Sequence, residues 1–522
     1  MKKQWLCVML AVIMISMVGC GNPAVDAPSP AASTQSEPAS GSASAADNLP
    51  EISNVDVSVP VTLKYYLIGD EQPDSREVWD EINTKLQADI NTTIDPVIIS
   101  WADYATRYPL IFASGEEFDM AWAGNWMDYA GIASKGGFME ITHDMLEKYT
   151  PGALAALPDS SFKQAMVDGK LYMVPFGEKT TNNIVIATRG DLKEKYGIGS
   201  INSLEDLERY CEAVVQNETG IIPIADVGPD NFALELALLY ICNQWAYVDR
   251  TLGLAFDFTA SDPKLFSVLE TPEFFTFINK MNGFKEKGYL SRSALTYNAS
   301  GNVEFKTGRG GVAFGNLNDI VALYQEVNND HPEWKIEIEN GSFGGKVTTE
   351  PAIVHGTTIH ANSKNPERVL MAVELLNYRE DYNHLVLYGF EGRHYQNING
   401  AYEPLNADYV GTNYSSWASR GDFLLKPANT FATYDNLFSF FANNSIASPL
   451  TAFTLMTSDI RSEVAACSDI WRTKVSVLMY GAASDVQAGI DDALKTLKSA
   501  GYDDIIADAN RQAAQYLEGY YQ

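Results

Sequence analysis

Five polar or aromatic residues directly follow apolar, extended-type runs of the 522-residue chain, namely Asp70, Asn125, Trp126, Glu178 and Asn316. In open α/β sheets, ligands bind outside the carboxyl ends of the strands. Carboxylates and planar amides hydrogen-bond in pairs, and an indole ring offers a flat apolar face. The pattern predicts non-covalent binding of a ligand that carries both hydroxyl groups and apolar faces. The alternative for each residue is a surface turn or a helix cap.

Two weaker candidate groups lie further along the chain. Asn231 and Trp245 form one, although Trp245 is equally consistent with a core position. Arg393 and Tyr395 form the other, in a loop ordered by the preceding glycines. The alternative for this loop is a structural tie between two lobes of the fold.

The elements that must position these residues alternate in type near the start of the mature chain. Apolar spacing of four from Val78 to Ile90 predicts a helix between β-rich runs. This βαβαβ order favours a parallel sheet covered by helices. The predicted elements are strands at 61–68, 94–101 and 118–122 and helices at 78–90 and 101–112.

A second set of elements indicates a second α/β unit. Extended segments are predicted at 171–175, 183–188 and 310–315. Ser203 with Asp206 three residues on is typical of a helix N-cap. Further helices are predicted to begin at Asn365-Pro366 and to run from Val486 to Leu497, stopping before Gly501. The regions 335–350 and 395–450 are too irregular to place.

The first 59 residues are predicted to be a secretion and anchoring segment. A short basic start precedes 14 mostly apolar residues, fewer than the roughly 20 that span a bilayer. Residues 1–19 are therefore predicted to be a signal peptide. Gly19-Cys20 resembles the lipobox of bacterial lipoproteins, in which the cysteine is lipidated; the alternative is an ordinary signal peptide. Residues 20–59, rich in Ala, Ser and Pro, predict a flexible tether.

The composition excludes several classes of protein. The 37 basic and 67 acidic residues give a net charge of −30, which argues against nucleic-acid binding. The five cysteines exclude a multi-disulfide scaffold and have no metal-ligand spacing, so we predict neither metal nor cofactor.

The one dinucleotide-type motif, at 308–313, leads into a strand instead of a helix. We predict that the chain is not an enzyme, although the paired acids of a glycosidase stay open because their spacing is spatial.

Several segments in order resemble the extracellular solute-binding lipoproteins of ABC importers, the family that includes the maltose-type sugar-binding proteins. The YGFEGRHY segment is similar to an element of a Gram-positive subgroup with an extra C-terminal region. The matching segments are FDMAW (118–122), GGFMEIT (136–142), DGKLYMVP (168–175), RGDL with YGI (189–192 and 196–198), IHANSKNPE (359–367) and YGFEGRHY (388–395).

The resemblance implies two α/β lobes with a ligand cleft between them and closure on binding. It places crossings near 175–183 and 352–359, with lobe 1 at 60–178 plus about 355–440 and lobe 2 at 179–354 plus about 441–522. It implies an oligosaccharide as solute, with a peptide or a modified sugar as alternatives. It also implies ABC permease subunits as partners, at the outer face of the cytoplasmic membrane. A sensor lipoprotein that presents its ligand to a signalling partner is the alternative function.

Overall fold

A computed structural model describes residues 55–100, 103–175, 181–225, 233–291, 301–406, 408–409, 423–457 and 459–521 of the chain. The signal peptide, Cys20 and the tether up to residue 54 lie outside the described residues. Glu178 and Asn231 also lie outside them.

The described chain alternates short strands with helices. The strands are β1 Val61–Ile68, β2 Thr92–Ile99, β3 Met120–Ala123, β4 Met166–Val167, β5 Lys170–Leu171, β6 Met173–Pro175, β7 Val185–Thr188, β8 Trp245–Asp249, β9 Leu254–Asp257, β10 Phe266–Ser267, β11 Val312–Gly315, β12 Glu337–Asn340, β13 Val347–Thr348, β14 Gly356–Ile359, β15 Tyr395–Ile398, β16 Ala401–Pro404, β17 Lys426–Pro427 and β18 Ser445–Ile446.

The helices are longer and cover the sheets. They are α1 Ser75–Ile90, α2 Tyr104–Ala113, α3 Tyr129–Ser134, α4 His143–Tyr149, α5 Pro151–Ala156, α6 Asp159–Gln164, α7 Gly190–Tyr196, α8 Leu204–Asn217, α9 Ala233–Glu235, α10 Pro272–Glu286, α11 Gly301–Lys306, α12 Leu317–Asp330, α13 Pro366–Tyr378, α14 Glu380–Tyr388, α15 Tyr434–Asn444, α16 Arg461–Ile470, α17 Ser476–Met479, α18 Val486–Ser499 and α19 Tyr502–Tyr521.

The first sheet has the strand order β2-β1-β3-β14-β6. β1 is parallel to both β2 and β3, as the βαβαβ pattern predicts. β14 arrives much later in the sequence and pairs antiparallel with β3 and β6. The carboxyl ends of β1, β2 and β3 therefore lie at one edge, which also holds the start of β14 and the end of β6.

The second set of sheets is built differently from the first. β7 pairs antiparallel with β11 and β12, and β8, β9 and β10 form an antiparallel sheet of their own. Two helix ends predicted in this part of the chain are confirmed, the N-cap at Ser203 and the helix end before Gly501. The Ser203 side chain accepts a hydrogen bond from the Asp206 N–H at the start of α8, and α18 ends at Ser499, before Gly501.

Buried side chains form two large separate cores, which we use to define the lobes. Lobe 1 has its core between Leu63 and Val174 and again between Ile353 and Tyr409. Lobe 2 has its core between Ile184 and Val347 and again from Phe431 onward. The sequence-based lobe boundaries stay a prediction. In that prediction the chain returns to lobe 2 near residue 441, whereas Phe431 and Leu437 already pack in the lobe 2 core.

The segments that cross between the lobes lie side by side. Pro175 pairs with Gly356 in the first sheet, and Thr181 bridges Thr349 on the side of lobe 2. The Asn182 N–H donates to the Thr348 carbonyl oxygen at 2.8 Å, and the Thr349 N–H donates to Ile446 at 3.1 Å. Among the described residues, these backbone bonds hold the crossing segments to each other and to β18 on the side of lobe 2.

Two further properties bear on the sequence analysis. Among the described residues, no helix is both long and apolar enough to cross a bilayer. The described cysteines are free thiols: Cys211 and Cys467 are buried, whereas Cys242 is exposed.

One buried carboxyl makes the stability of lobe 1 depend on pH. Glu374 on α13 is 3% exposed and accepts hydrogen bonds from the Gly152 N–H at 2.9 and 3.1 Å. Burial raises the pKa of Glu374 from 4.5 to about 7, against the opposing effect of the Gly152 and Ala153 N–H groups. The folded state therefore retains a proton between about pH 4.5 and 7 that the unfolded chain releases. The free energy of unfolding should fall by up to roughly 3 kcal/mol as pH rises through this window.

Glu374→Gln keeps an acceptor for Gly152 and removes the ionisation. Thermal melts from pH 5 to 8 should show a steeper loss of melting temperature for the unaltered protein than for this variant. The variant should melt higher at pH 8. Glu367→Gln, an exposed change in the first turn of the same helix, is the matched control. Equal pH slopes in all three proteins would contradict the prediction.

Candidate functional site

The residues at the carboxyl edge of the first sheet lie next to the crossing segments. Asp70 follows β1 and is exposed on the turn that leads to α1. Asn125 and Trp126 follow β3 in a short 3₁₀ turn. Gly356 pairs with Ala123, so the residues just before β14 reach the same edge. The structure thus brings Asp70, Asn125 and Trp126 to one side of lobe 1.

Trp126 is held to the crossing segment by its indole. Its Nε1–H donates to the Val354 carbonyl oxygen at 3.0 Å, while 42% of the residue stays exposed. Gly124 permits this close approach, because a Cβ there would lie 2.2 Å from the same carbonyl oxygen. With the polar edge of the indole bonded inside the protein, the ring presents an apolar surface to solvent.

Other rings surround Trp126 and fix its orientation. The Tyr104 ring lies 5.5 Å from it, the Trp122 ring 5.7 Å and the His355 ring 6.1 Å, measured between centroids. The Tyr104 hydroxyl donates to the Trp126 carbonyl at 3.4 Å. Burial, with the Asp128 carboxylate nearby, raises the pKa of Tyr104, so its hydroxyl stays protonated at neutral pH.

Tyr104 and His355 were not among the site residues predicted from the sequence. Tyr104 begins the helix that follows the carboxyl end of β2, and the strand-end rule could have selected it. His355 gave no comparable signal. It lies in the crossing segment, and only the antiparallel return of β14 brings its ring within 5.3 Å of Trp122.

On lobe 2, Asn316 serves as a helix cap. Its Oδ1 accepts from the Asp319 N–H at 2.9 Å, and its Nδ2 donates to Asp319 Oδ2 at 2.7 Å. The next residue, Leu317, donates its N–H to Asn183 Oδ1 at 2.7 Å. Asn316 therefore lies near the crossing, and its side chain performs the capping role that the sequence left as the alternative.

Trp245 and Tyr247 lie on β8 in lobe 2. Trp245 is half-buried and packs edge-on against Phe266, with 4.9 Å between ring centroids. Burial raises the pKa of its neighbour Tyr247 to about 12, with Arg250 opposing and the Glu235 and Glu350 carboxylates adding to it. Glu350 belongs to a crossing segment, so Tyr247 is a polar aromatic candidate near the crossing that the sequence did not single out.

Arg393 and Tyr395 make contacts inside lobe 1. Arg393 pairs with Asp74 and, at 2.7 Å, with Glu77, both at the start of α1. Tyr395 is 3% exposed and packs against the rings of Tyr388 and Tyr402. These contacts join two parts of one lobe, whereas the alternative for this loop was a tie between the two lobes.

The chain forms two lobes, and a strand from later in the sequence, β14, completes the first sheet. Trp126 and the rings around it form an aromatic platform beside the crossing segments. These features define a ligand-binding protein of the two-lobe class. The family model described as "Bacterial extracellular solute-binding protein" matches residues 70–378. The chain belongs to this family. A second model, of a domain of unknown function, matches residues 449–518.

Relatives of known name agree with this assignment. The chain is 24% identical, over 476 residues, to a carbohydrate ABC transporter substrate-binding protein of Streptococcus pneumoniae serotype 4, covering 87% of this chain and 91% of the relative. The solved N-glycan transport solute binding protein NgtS of Streptococcus pneumoniae has a TM-score of 0.74 at 23% identity, covering 88% of this chain and 99% of that chain.

The same solved protein is similar in its complexes. With Man1GlcNAc the TM-score is 0.67, and with Man5GlcNAc it is 0.63, both at 22% identity and covering 88% of this chain and 100% and 99% of those chains. These likenesses confirm the two-lobe α/β fold that the sequence predicted.

Because Asn316 caps α12, its replacement should weaken the fold. Asn316→Ala should lower the free energy of unfolding by about 1 kcal/mol. Asn318→Ala, an exposed asparagine two residues later, is the control and should have little effect. Urea titrations of both variants would measure the difference, and equal stability of the two would contradict the capping role.

Proposed function

We propose that this protein captures an oligosaccharide in the cleft between its lobes and delivers it to an ABC permease. The observation that carries the proposal is Trp126, an exposed indole whose N–H is bonded to the Val354 carbonyl oxygen beside the crossing. A sugar ring has apolar C–H faces that stack on such a ring. An immobilised ring also binds at a low cost in side-chain entropy.

Polar groups around Trp126 fit the hydroxyl groups of a sugar. Asp70 and Asn125 supply a carboxylate and an amide at the same edge, and Tyr104 supplies a protonated hydroxyl. The names of the relatives support this solute class, since one is a carbohydrate ABC transporter substrate-binding protein and another is solved with Man1GlcNAc. Glu178, Asn231 and Asn316 stay candidate contacts.

Binding by lobe closure requires no covalent chemistry. The separate cores let each lobe move as a rigid body, so the lobes can close over a solute by bending at the crossing segments. We propose that the closed form delivers the solute to two permease subunits. The protein would act as a binding component and not as an enzyme.

A thermal-shift panel would test the solute class. The probes are Man1GlcNAc, Man5GlcNAc and other oligosaccharides, with short peptides as controls. A bound oligosaccharide raises the melting temperature because it binds only the folded state. Trp126→Ala should weaken Kd by roughly 30-fold or more, and Trp126→Phe by less because it keeps a ring.

Phe275→Ala is the matched control, because Phe275 is an exposed aromatic on α10 of lobe 2. It should leave Kd unchanged. A panel in which only peptides raise the melting temperature would overturn the carbohydrate assignment. Equal Kd values for the Trp126 and Phe275 variants would remove Trp126 from the site.

We also propose that lipid on Cys20 anchors the protein to the outer face of the cytoplasmic membrane. The support is the signal-peptide pattern, Gly19-Cys20 and the Ala/Ser/Pro-rich stretch that follows. Cys20→Ala should move the protein from the membrane fraction to the culture medium. Mass spectrometry of the N-terminal peptide would check the modification directly, and an unmodified Cys20 in membrane-bound protein would contradict it.

A further inference from the structure

A small hairpin connects the start of α1 with the chain's third passage between the lobes. β15 and β16 pair antiparallel, with Ile398 opposite Ala401. The turn residues Asn399 and Gly400 both have positive φ, 55° and 83°, as a two-residue hairpin requires. β16 then pairs in parallel with β17, after which the chain enters lobe 2.

The hairpin is anchored to lobe 1 at its first strand. The Phe390 N–H donates to His394 Nδ1 at 3.0 Å, so His394 Nε2 carries the hydrogen and donates to Asp74 Oδ2 at 3.0 Å. His394 is fully buried, and Arg393 adds ion pairs to Asp74 and Glu77. The His394 hydrogen bond lowers the pKa of Asp74, which keeps the carboxylate charged for both partners.

The second strand of the hairpin is bonded to the passage itself. The Ala428 N–H donates to the Tyr402 carbonyl oxygen at 2.7 Å. Glu403 accepts from Gln396 Nε2 at 2.6 Å and from Asn429 Nδ2 at 3.3 Å. The side chain of Glu403 therefore ties both strands of the hairpin to the start of the passage.

The passage is in turn bonded to lobe 2. Gln325 on α12 donates from Nε2 to the Ala428 carbonyl oxygen at 3.0 Å. Five residues later, the Thr433 hydroxyl donates to the Ile338 carbonyl oxygen at 2.8 Å, and Phe431 packs in the lobe 2 core. A continuous series of bonds thus runs from Asp74 to α12.

From this series we propose that the β15–β16 hairpin is a brace that sets the relative position of the two lobes. The end at lobe 1 lies close to a candidate contact, because α1 begins five residues after Asp70. The other end is bonded to α12, the helix that Asn316 caps. Arg393 and Glu403 are then positioning residues, which affect solute affinity without touching the solute. This inference deepens the proposed function and rests on it for the effect on affinity.

The ion-pair part of the anchor can be removed with little loss of stability, while the buried His394 bond to Asp74 stays in place. The Arg393 side chain is 45% exposed, and exposed ion pairs contribute little to the free energy of unfolding. His394 is unsuitable for substitution because it is fully buried. We therefore choose Arg393→Ala for the end at lobe 1 and Glu403→Ala for the end at the passage.

Hydrogen–deuterium exchange without solute tests the brace directly. Both variants should speed amide exchange in the hairpin, 395–404, and also in the passage, 426–433. Lys85→Ala is the matched control, since it removes an ion pair between α1 and Asp381 of α14 in the same lobe. It should leave exchange in both regions unchanged. Changes confined to the substituted strand, with 426–433 unaffected, would overturn the proposal.

The second measurement is the Kd for an oligosaccharide. The probe is Man5GlcNAc, or another oligosaccharide that binds in the thermal-shift panel. Arg393→Ala and Glu403→Ala should each weaken Kd by roughly fivefold or more, with the melting temperature of the solute-free protein near that of Lys85→Ala. Arg393→Lys, which keeps a cation, should recover part of the loss. An unchanged Kd in both variants would overturn the positioning role.

The two proposals fail in different ways. If no oligosaccharide binds but exchange spreads to 426–433, the proposed function fails and the brace stands. If an oligosaccharide binds while exchange and Kd are unaltered in both variants, the brace fails and the function stands.

Discussion

The pairing of β14 between β3 and β6 is the constraint on which the rest of the structure depends. Gly356 opens this strand, and a Cβ there would lie 2.4 Å from the Met173 sulfur and 2.7 Å from the Val174 carbonyl oxygen. The buried hydroxyls on β14 are also satisfied: Thr357 lies 3.2 Å from the Tyr65 hydroxyl, and Thr358 donates to the Ala121 carbonyl at 3.0 Å. Lobe 1 is thus complete only after the chain has returned from lobe 2. The same return brings the Val354 carbonyl oxygen to Trp126, so one strand both closes the sheet and fixes the aromatic platform.

In this arrangement each lobe is rigid, and the relative position of the two lobes can change at the segments between them. The side chains that hold Trp126 belong to lobe 1 or to the segment that enters it, so the platform moves with that lobe. The described parts of the crossing are short segments, such as Thr348–Thr349 with its partners Thr181 and Asn182. Rigid lobes joined by a few deformable segments favour hinge closure over internal rearrangement. The site can therefore be well ordered on each side while the distance between the sides changes.

The sequence predicted what local chemistry determines. The apolar period of four gave α1, and the cap at Ser203 and the stop before Gly501 place helix ends where the structure has them. Strands of two residues, such as β13 and β17, carry no period that a pattern could reveal. The strand-end rule placed Asp70, Asn125 and Trp126 at one edge because parallel strands share that edge. The rule alone did not show that the Asn316 amide caps α12 through Asp319, although the spacing of three repeats the Ser203–Asp206 cap pattern. It could not show that Tyr395 is buried against Tyr388 and Tyr402, because that outcome depends on tertiary packing.

The C-terminal match to a domain of unknown function is part of lobe 2 and not a separate body. Trp471 lies against Gly253, where a Cβ would be 2.1 Å from the indole ring, and the buried Tyr502 hydroxyl bonds to Ser267 at 2.9 Å. Cys467, Ile490 and Leu497 lie in the same core as β7 and β11. Ala452 and Tyr516, at the two ends of this region, also touch the lobe 1 core. This region therefore shares the lobe 2 core instead of forming a core of its own. Its physical role is to complete lobe 2 and to contact lobe 1, so substitutions there should be interpreted through the stability and relative position of the lobes.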